Sequence, residues 1–150
     1  MNFLQYVEHN KILLSIILRA EYEPTEQIEF FTPNDFSQQL GYIKRQKGYI
    51  IPPHVHNELS RDVSLTKEVL FVKSGEVRVD FYSDVDKYLF SDKLKAGDVI
   101  LLAHGGHGFE VLENAEIIEV KQGPFAGEKD KTRFKTVDTN KLQYLQVYGQ

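Results

Sequence analysis

The chain of 150 residues contains no cysteine. Disulfides, thiolate zinc sites, iron–sulfur clusters and cysteine nucleophiles are therefore excluded. Tryptophan is also absent, and the single methionine is the first residue. With soft ligands missing, a metal site must be built from imidazole and carboxylate. An excess of basic charge is missing too: 18 Lys and Arg stand against 22 Asp and Glu, a formal net of −4. A protein that tracks a phosphate backbone needs the opposite balance, so no nucleic-acid partner is expected. Long apolar runs are absent. The most apolar early stretch, residues 12–18, falls far short of the roughly 20 residues that span a bilayer. It follows neither a basic leader nor a small-residue cleavage site, so a cytoplasmic protein without a membrane partner is expected.

What is present is one domain's worth of chain, expected to fold as a single unit over 1–150. No linker, repeat or low-complexity run interrupts it. Phe3, Leu4 and Val7 stand at helical spacing, so residues 1–10 read as a helical turn or more. Residues 12–18 read as a buried strand. From residue 40 the pattern is uniformly β. Candidate strands are 40–45, 49–51, 55–57, 68–74, 76–82, 88–94, 98–102, 108–112 and 117–122. They are separated by turn-formers such as Lys47-Gly48, Pro52-Pro53, Ser74-Gly75, Ser83-Asp84, Ala96-Gly97 and Gly105-Gly106. Short strands recurring about every ten residues predict an all-β antiparallel sandwich or barrel. Neither a GxGxxG nor a Walker sequence argues for a nucleotide fold. The tail is polar after Gly127 and apolar again at Leu142, Tyr144, Leu145, Val147 and Tyr148, as a last strand or a packing arm.

Four of the five histidines fall in two clusters, His54/His56 and His104/His107. On a strand, His54 and His56 project to one side with Val55 opposite, so both can reach one ion. Glu68 begins an apolar strand and shares its face with Leu70 and Val72. If that face is buried, the carboxylate needs a cation or strong hydrogen bonds; otherwise it stays in water at the strand's start. His107 follows Gly105-Gly106, which permit a sharp turn, and shares a face with Phe109 and Val111. His104, in the turn, points elsewhere, and His9 is remote. Three imidazoles and one carboxylate suit Fe(II), Mn(II), Ni(II), Co(II) or Zn(II) and leave positions open for substrate or water.

These residues resemble the cupin superfamily. Its first motif reads G, five residues, H-x-H, three or four residues, E, six residues, G. Gly48, His54-Val55-His56, Glu68 and Gly75 match every interval but one: eleven residues separate His56 from Glu68. That polar insertion, 57–67, looks like an enlarged hairpin loop, a lid or a dimer arm. The second motif reads G, five residues, P-x-G, two residues, H, three residues, N. Gly97 and Gly105 occupy its glycine positions, Ala103 stands at the proline, and His107 falls one residue before the histidine position. The resemblance covers about 40–122. Residues 38–42, 51–57, 105–110 and 119–124 look like a group of small bacterial single-domain cupins that accompany polysaccharide and sugar-nucleotide biosynthesis. It implies a double-stranded β-helix (jelly-roll) barrel behind a short N-terminal extension, a homodimer, and a divalent metal held by His54, His56, Glu68 and His107. The implied function is a metal-dependent enzyme, of isomerase, epimerase or dioxygenase type, on a small polar sugar-related substrate. Alternatives are a carbohydrate- or anion-binding module without turnover, and a structural metal clip in a dimeric barrel.

Glu119 and Tyr82 are the first acid/base candidates. Glu119 and Lys121 share one face of 117–122, which either lines the cavity or meets solvent. Arg78, Asp80 and Tyr82 alternate with Val77, Val79 and Phe81. The apolar trio is expected inside, and the polar trio outside or in a dimer contact. Lys129, Lys131 and Arg133 form a basic stretch that either meets an anion or is a solvated loop.

Overall fold

The computed structural model describes residues 2–83 and 85–145. Val147 and Tyr148 of the expected tail, and Asp84 of one expected turn, lie outside them. The chain divides into two compact units, Met1–Tyr22 with Thr66–Gln150, and Glu23–Leu65. No helix among the described residues is long and apolar enough to cross a membrane.

The larger unit is a curled antiparallel sheet, a half-barrel. Strands β1 (Leu4–His9) and β2 (Ile12–Leu18) open it as a hairpin. Leu4–His9 is therefore a strand, where a helical turn was expected over 1–10. Asn10 and Lys11 between them take φ of 50° and 64°. Two successive positive φ values make the tight turn whose twist matches a hairpin. That turn, in the unfamiliar form Asn-Lys, overrides the helical spacing of Phe3, Leu4 and Val7. The hairpin is an integral part of the sheet rather than an extension, because β2 pairs with β7 from Ser15↔Leu102 to Leu18↔Val99.

In the smaller unit, β3 (Ile28–Phe30) pairs with β4 (Gly41–Ile43). Phe31 beside it is buried, whereas Phe30 is exposed. From residue 44 to 65 there is neither helix nor strand, so the expected strands at 49–51 and 55–57 are not formed.

Back in the larger unit, the expected strands 68–74 and 76–82 form one long strand, β5 (Glu68–Tyr82). After it come β6 (Tyr88–Lys95), β7 (Val99–Leu102) and β8 (Gly106–Lys121). The sheet runs β1-β2-β7-β5-β6, with β8 on β5. β5 serves two neighbours in turn. Its first residues, Glu68–Phe71, pair with β7, and its later ones, Glu76–Tyr82, pair with β6. The changeover is a bend at Ser74-Gly75, where the register against β8 shifts three times. Gly75 sits there at φ 78°, and a Cβ on it would meet the Asn114 carbonyl oxygen at 2.1 Å. Only glycine permits that conformation and that approach.

The curl encloses Val7, Leu14, Ile17, Leu70, Val72, Val77, Val79, Phe81, Leu94, Ile100 and Leu102. Burying this much apolar surface is the main force holding the unit together. Arg78, Asp80 and Tyr82, expected outside or in a dimer contact, are buried as well. They lie on the opposite side of β5, and the C-terminal segment covers them. Phe134 packs edge-on against Tyr82, and the Val137 N–H donates to the Tyr82 hydroxyl at 3.1 Å. The Ser91 N–H donates to the Gln143 carbonyl at 2.7 Å, the Leu145 N–H donates to the Ser91 carbonyl at 2.9 Å, and Tyr144 bridges to Ser91. Its described part is thus a packing arm. Beneath it, the Arg78 guanidinium grips both Asp80 oxygens, at 2.7 and 3.0 Å, and reaches Glu110 at 2.6 Å. The Ser91 hydroxyl donates to Asp80 at 2.5 Å. A buried charge pair is tolerable only with this degree of satisfaction.

Candidate functional site

Glu68 starts β5 on the enclosed side of the sheet, between β7 and β8. Its register partners are Leu102 and Lys121. The side chain is only 10% exposed, and its Oε2 accepts a hydrogen bond from His107 Nε2 at 3.1 Å. This contact depends on the curl. His107 pairs with Phe81, thirteen positions along β5 from Glu68. On a flat strand that is about 40 Å. The bend at Gly75 folds one half of β5 towards the other and brings the two side chains together.

Glu119 stands opposite Leu70 in register, two residues along β8 from Lys121, the partner of Glu68, and Lys131 adds a positive field at the Glu68 carboxylate. The His107 hydrogen bond is the largest influence on Glu68 and holds its carboxyl below the ordinary glutamate range, against the opposing effect of burial. Beside these groups, a cavity of about 80 Å³ is lined by Lys121, Lys131 and Arg133 with Glu128 and Asp130. Arg133 is paired with Glu128, and Asp130 accepts from the Thr66 hydroxyl at 2.6 Å.

One buried group near the site was not singled out by sequence reasoning. Ser15 is fully buried, and its hydroxyl lacks a hydrogen-bond partner among the described residues. It pairs with Leu102, which pairs with Glu68, so all three stand in one row across the sheet. A serine inside an apolar run, Leu13-Leu14-Ser15-Ile16-Ile17, was the available signal.

Tyr82 does not join this group. Neighbouring strand residues face opposite ways, so Tyr82 lies across the sheet from Phe81 and His107. Its hydroxyl is engaged by Val137, and burial pushes its pKa up. His104 is half-buried, and its Nδ1 donates to the Leu13 carbonyl at 3.1 Å.

His54 and His56 belong to the smaller unit and are exposed. Their rings stand edge to face with centroids 5.3 Å apart. His54 Nδ1 lies 2.9 Å from the Pro52 carbonyl, which can only accept. The hydrogen is therefore on Nδ1, which leaves Nε2 as the ring nitrogen not engaged by that carbonyl. Among the described residues, no group of three or more His, Cys, Asp or Glu stands together as a metal-holding cluster. Within the larger unit the donors in contact are Glu68 and His107, and within the smaller unit they are His54 and His56.

No protein-family model matches the chain, and no curated protein or solved structure matches it either.

Proposed function

We propose that the protein is a metal-binding cupin, with a double-stranded β-helix barrel as its complete fold. We further propose that it is a metal-dependent enzyme acting on a small, polar, sugar-related substrate. The Glu68–His107 contact carries this reading. Two donors bound to one ion at about 2.1 Å and at right angles stand about 3 Å apart. Glu68 Oε2 and His107 Nε2 are 3.1 Å apart, with a proton now occupying the line between them. The donor set fits the ion: one carboxylate and one imidazole here, with His54 and His56 completing it as the H-x-H motif implies. A divalent Fe, Mn, Ni, Co or Zn ion in this set would supply a Lewis acid for a substrate oxygen.

The chain's own residues supply the rest. Glu119, opposite Leu70 on β8, would serve as the acid or base that an isomerase or epimerase needs to move a proton on its substrate. Lys121 and Lys131 bring positive charge to the adjoining cavity, where an anionic or hydroxyl-rich substrate would be oriented.

Elemental analysis of protein purified without added metal tests the metal. About one ion per chain is expected, lost in Glu68→Ala; no metal in the wild type and no uptake on dialysis against divalent ions would refute it. Thermal-shift screening of sugar nucleotides with each metal, followed by mass spectrometry of the mixture, tests turnover. Substrate isomerised at the sugar supports the enzyme. Binding without product under every metal supports a carbohydrate-binding module instead.

A further inference from the structure

Residues 34–39 of the connection between β3 and β4, together with Arg61 and Asp62, line a cleft of about 930 Å³. All of them belong to the smaller unit. The connection is held in shape by its own hydrogen bonds. The hydroxyl of buried Thr32 donates to Gln39 Oε1 at 2.7 Å and accepts from the Leu40 N–H at 3.2 Å. Gln39 Nε2 donates to the Pro33 and Phe36 carbonyls, both at 2.9 Å, and the Phe36 N–H donates to the Pro33 carbonyl at 3.1 Å. A loop ordered in advance lowers the entropic cost of taking up a ligand. The exposed side chains of Asn34, Asp35, Arg61 and Asp62, by contrast, make no hydrogen bond or ion pair among the described residues. Beside them, Gln38 Oε1 is shielded from solvent and accepts no hydrogen bond. A shielded acceptor costs stability until a donor reaches it, and folded proteins rarely leave one alone.

The chemistry of these groups selects the ligand. Two carboxylates against one guanidinium give the lining a net negative charge, which disfavours phosphates and other anions. Amides and carboxylates side by side donate to and accept from neighbouring hydroxyls, and the guanidinium donates to hydroxyl or ring oxygens. Half-buried Phe36 adds an apolar surface against which the C–H face of a sugar ring can lie. The volume suits a ligand of drug size, about two or three sugar rings. We propose that this cleft binds a short, uncharged oligosaccharide. Asn34, Asp35, Arg61 and Asp62 hold its hydroxyls, Phe36 receives a ring face, and Gln38 turns its amide to accept from a ligand hydroxyl. Gln39 is a positioning residue, because its amide is spent on shaping the loop. None of the four residues assigned to the metal lines the cleft, so the proposal stands independently of that reading.

Isothermal titration calorimetry of the whole chain, stripped of metal with EDTA, tests this with neutral trisaccharides built from glucose, galactose, mannose or N-acetylglucosamine. At least one is expected to bind at one site per chain, with amide NMR shifts centred on residues 34–39 and 61–62. Arg61→Ala and Asp62→Ala remove exposed side chains that make no hydrogen bond or ion pair, so the fold is kept, as the amide spectrum checks. Each should weaken that trisaccharide about tenfold. No binding by any member of the panel would overturn the proposal. So would binding that both substitutions leave unchanged, shifts centred on Glu68 and His107, or a preference for trigalacturonate over the neutral sugars. Should the metal reading fail instead, the protein would take up no divalent ion and still bind the trisaccharide.

Discussion

The two pairs of donors are built in opposite ways. Glu68 and His107 sit on the two longest strands of the sheet, and their contact depends on a bend that packing holds in place. His54 and His56 sit on exposed chain without regular structure, organised by a single bond to the Pro52 carbonyl. The first pair is fixed by the fold, so disturbing it disturbs stability. The second is fixed locally, so changing it leaves the fold intact.

The sharpest way to break the comparison is at the bend. Gly75→Ala forces a Cβ onto the Asn114 carbonyl and a left-handed backbone onto alanine. A loss of about 4 kcal/mol or more is expected, read by urea denaturation, together with loss of the Glu68–His107 contact. Next comes the buried ion pair. Asp80→Ala leaves the Arg78 guanidinium inside the protein with Glu110 as its one remaining carboxylate. About 3 kcal/mol of destabilisation is expected. A loss under about 1 kcal/mol would mean that the C-terminal arm does not keep Arg78 from water.

A smaller effect separates the pairs by pH. Because Glu68 has a lowered pKa in the folded protein, its ionised form adds stability above the ordinary glutamate value. That stability is lost as pH falls through the folded value. The gap between wild type and Glu68→Gln should be constant near neutrality and narrow in acid, followed by denaturation midpoints from pH 6 to 3. A gap that widens in acid would reverse the assigned sign. The smallest effect is expected at His54→Ala. Its side chain is exposed, so stability should change by no more than about 0.5 kcal/mol, in contrast to any substitution at the bend.

Much of the larger unit is legible from residue patterns. β2, β6 and β7 and the two halves of β5 follow from alternation and turn residues, and so does the face that Glu68 shares with Leu70 and Val72, although alternation alone leaves open whether that face is buried. The first hairpin is hidden because Asn10-Lys11 is an uncommon pair for a tight turn, while the apolar spacing before it imitates a helix. The burial of Arg78, Asp80 and Tyr82 is hidden for a different reason. Alternation tells which residues share a side of a strand, but not that a segment fifty residues away will cover that side. The Glu68–His107 meeting depends on curvature, and its only local sign is Gly75. The segment 44–65 departs furthest: Tyr49, Ile50, Ile51 and Val55 carry strand propensity, yet they are exposed and form no strand among the described residues.

The central claim is that both pairs serve one ion, and cobalt titration followed by visible absorption tests it most directly. Adding Co(II) to the metal-free wild type should raise ligand-field bands that saturate at one equivalent per chain. His107→Ala and His54→Ala should each weaken the bands and their affinity, although only the first substitution touches the sheet. Saturation unaffected by His54→Ala, or no saturable binding at all, would contradict a site shared by the two pairs.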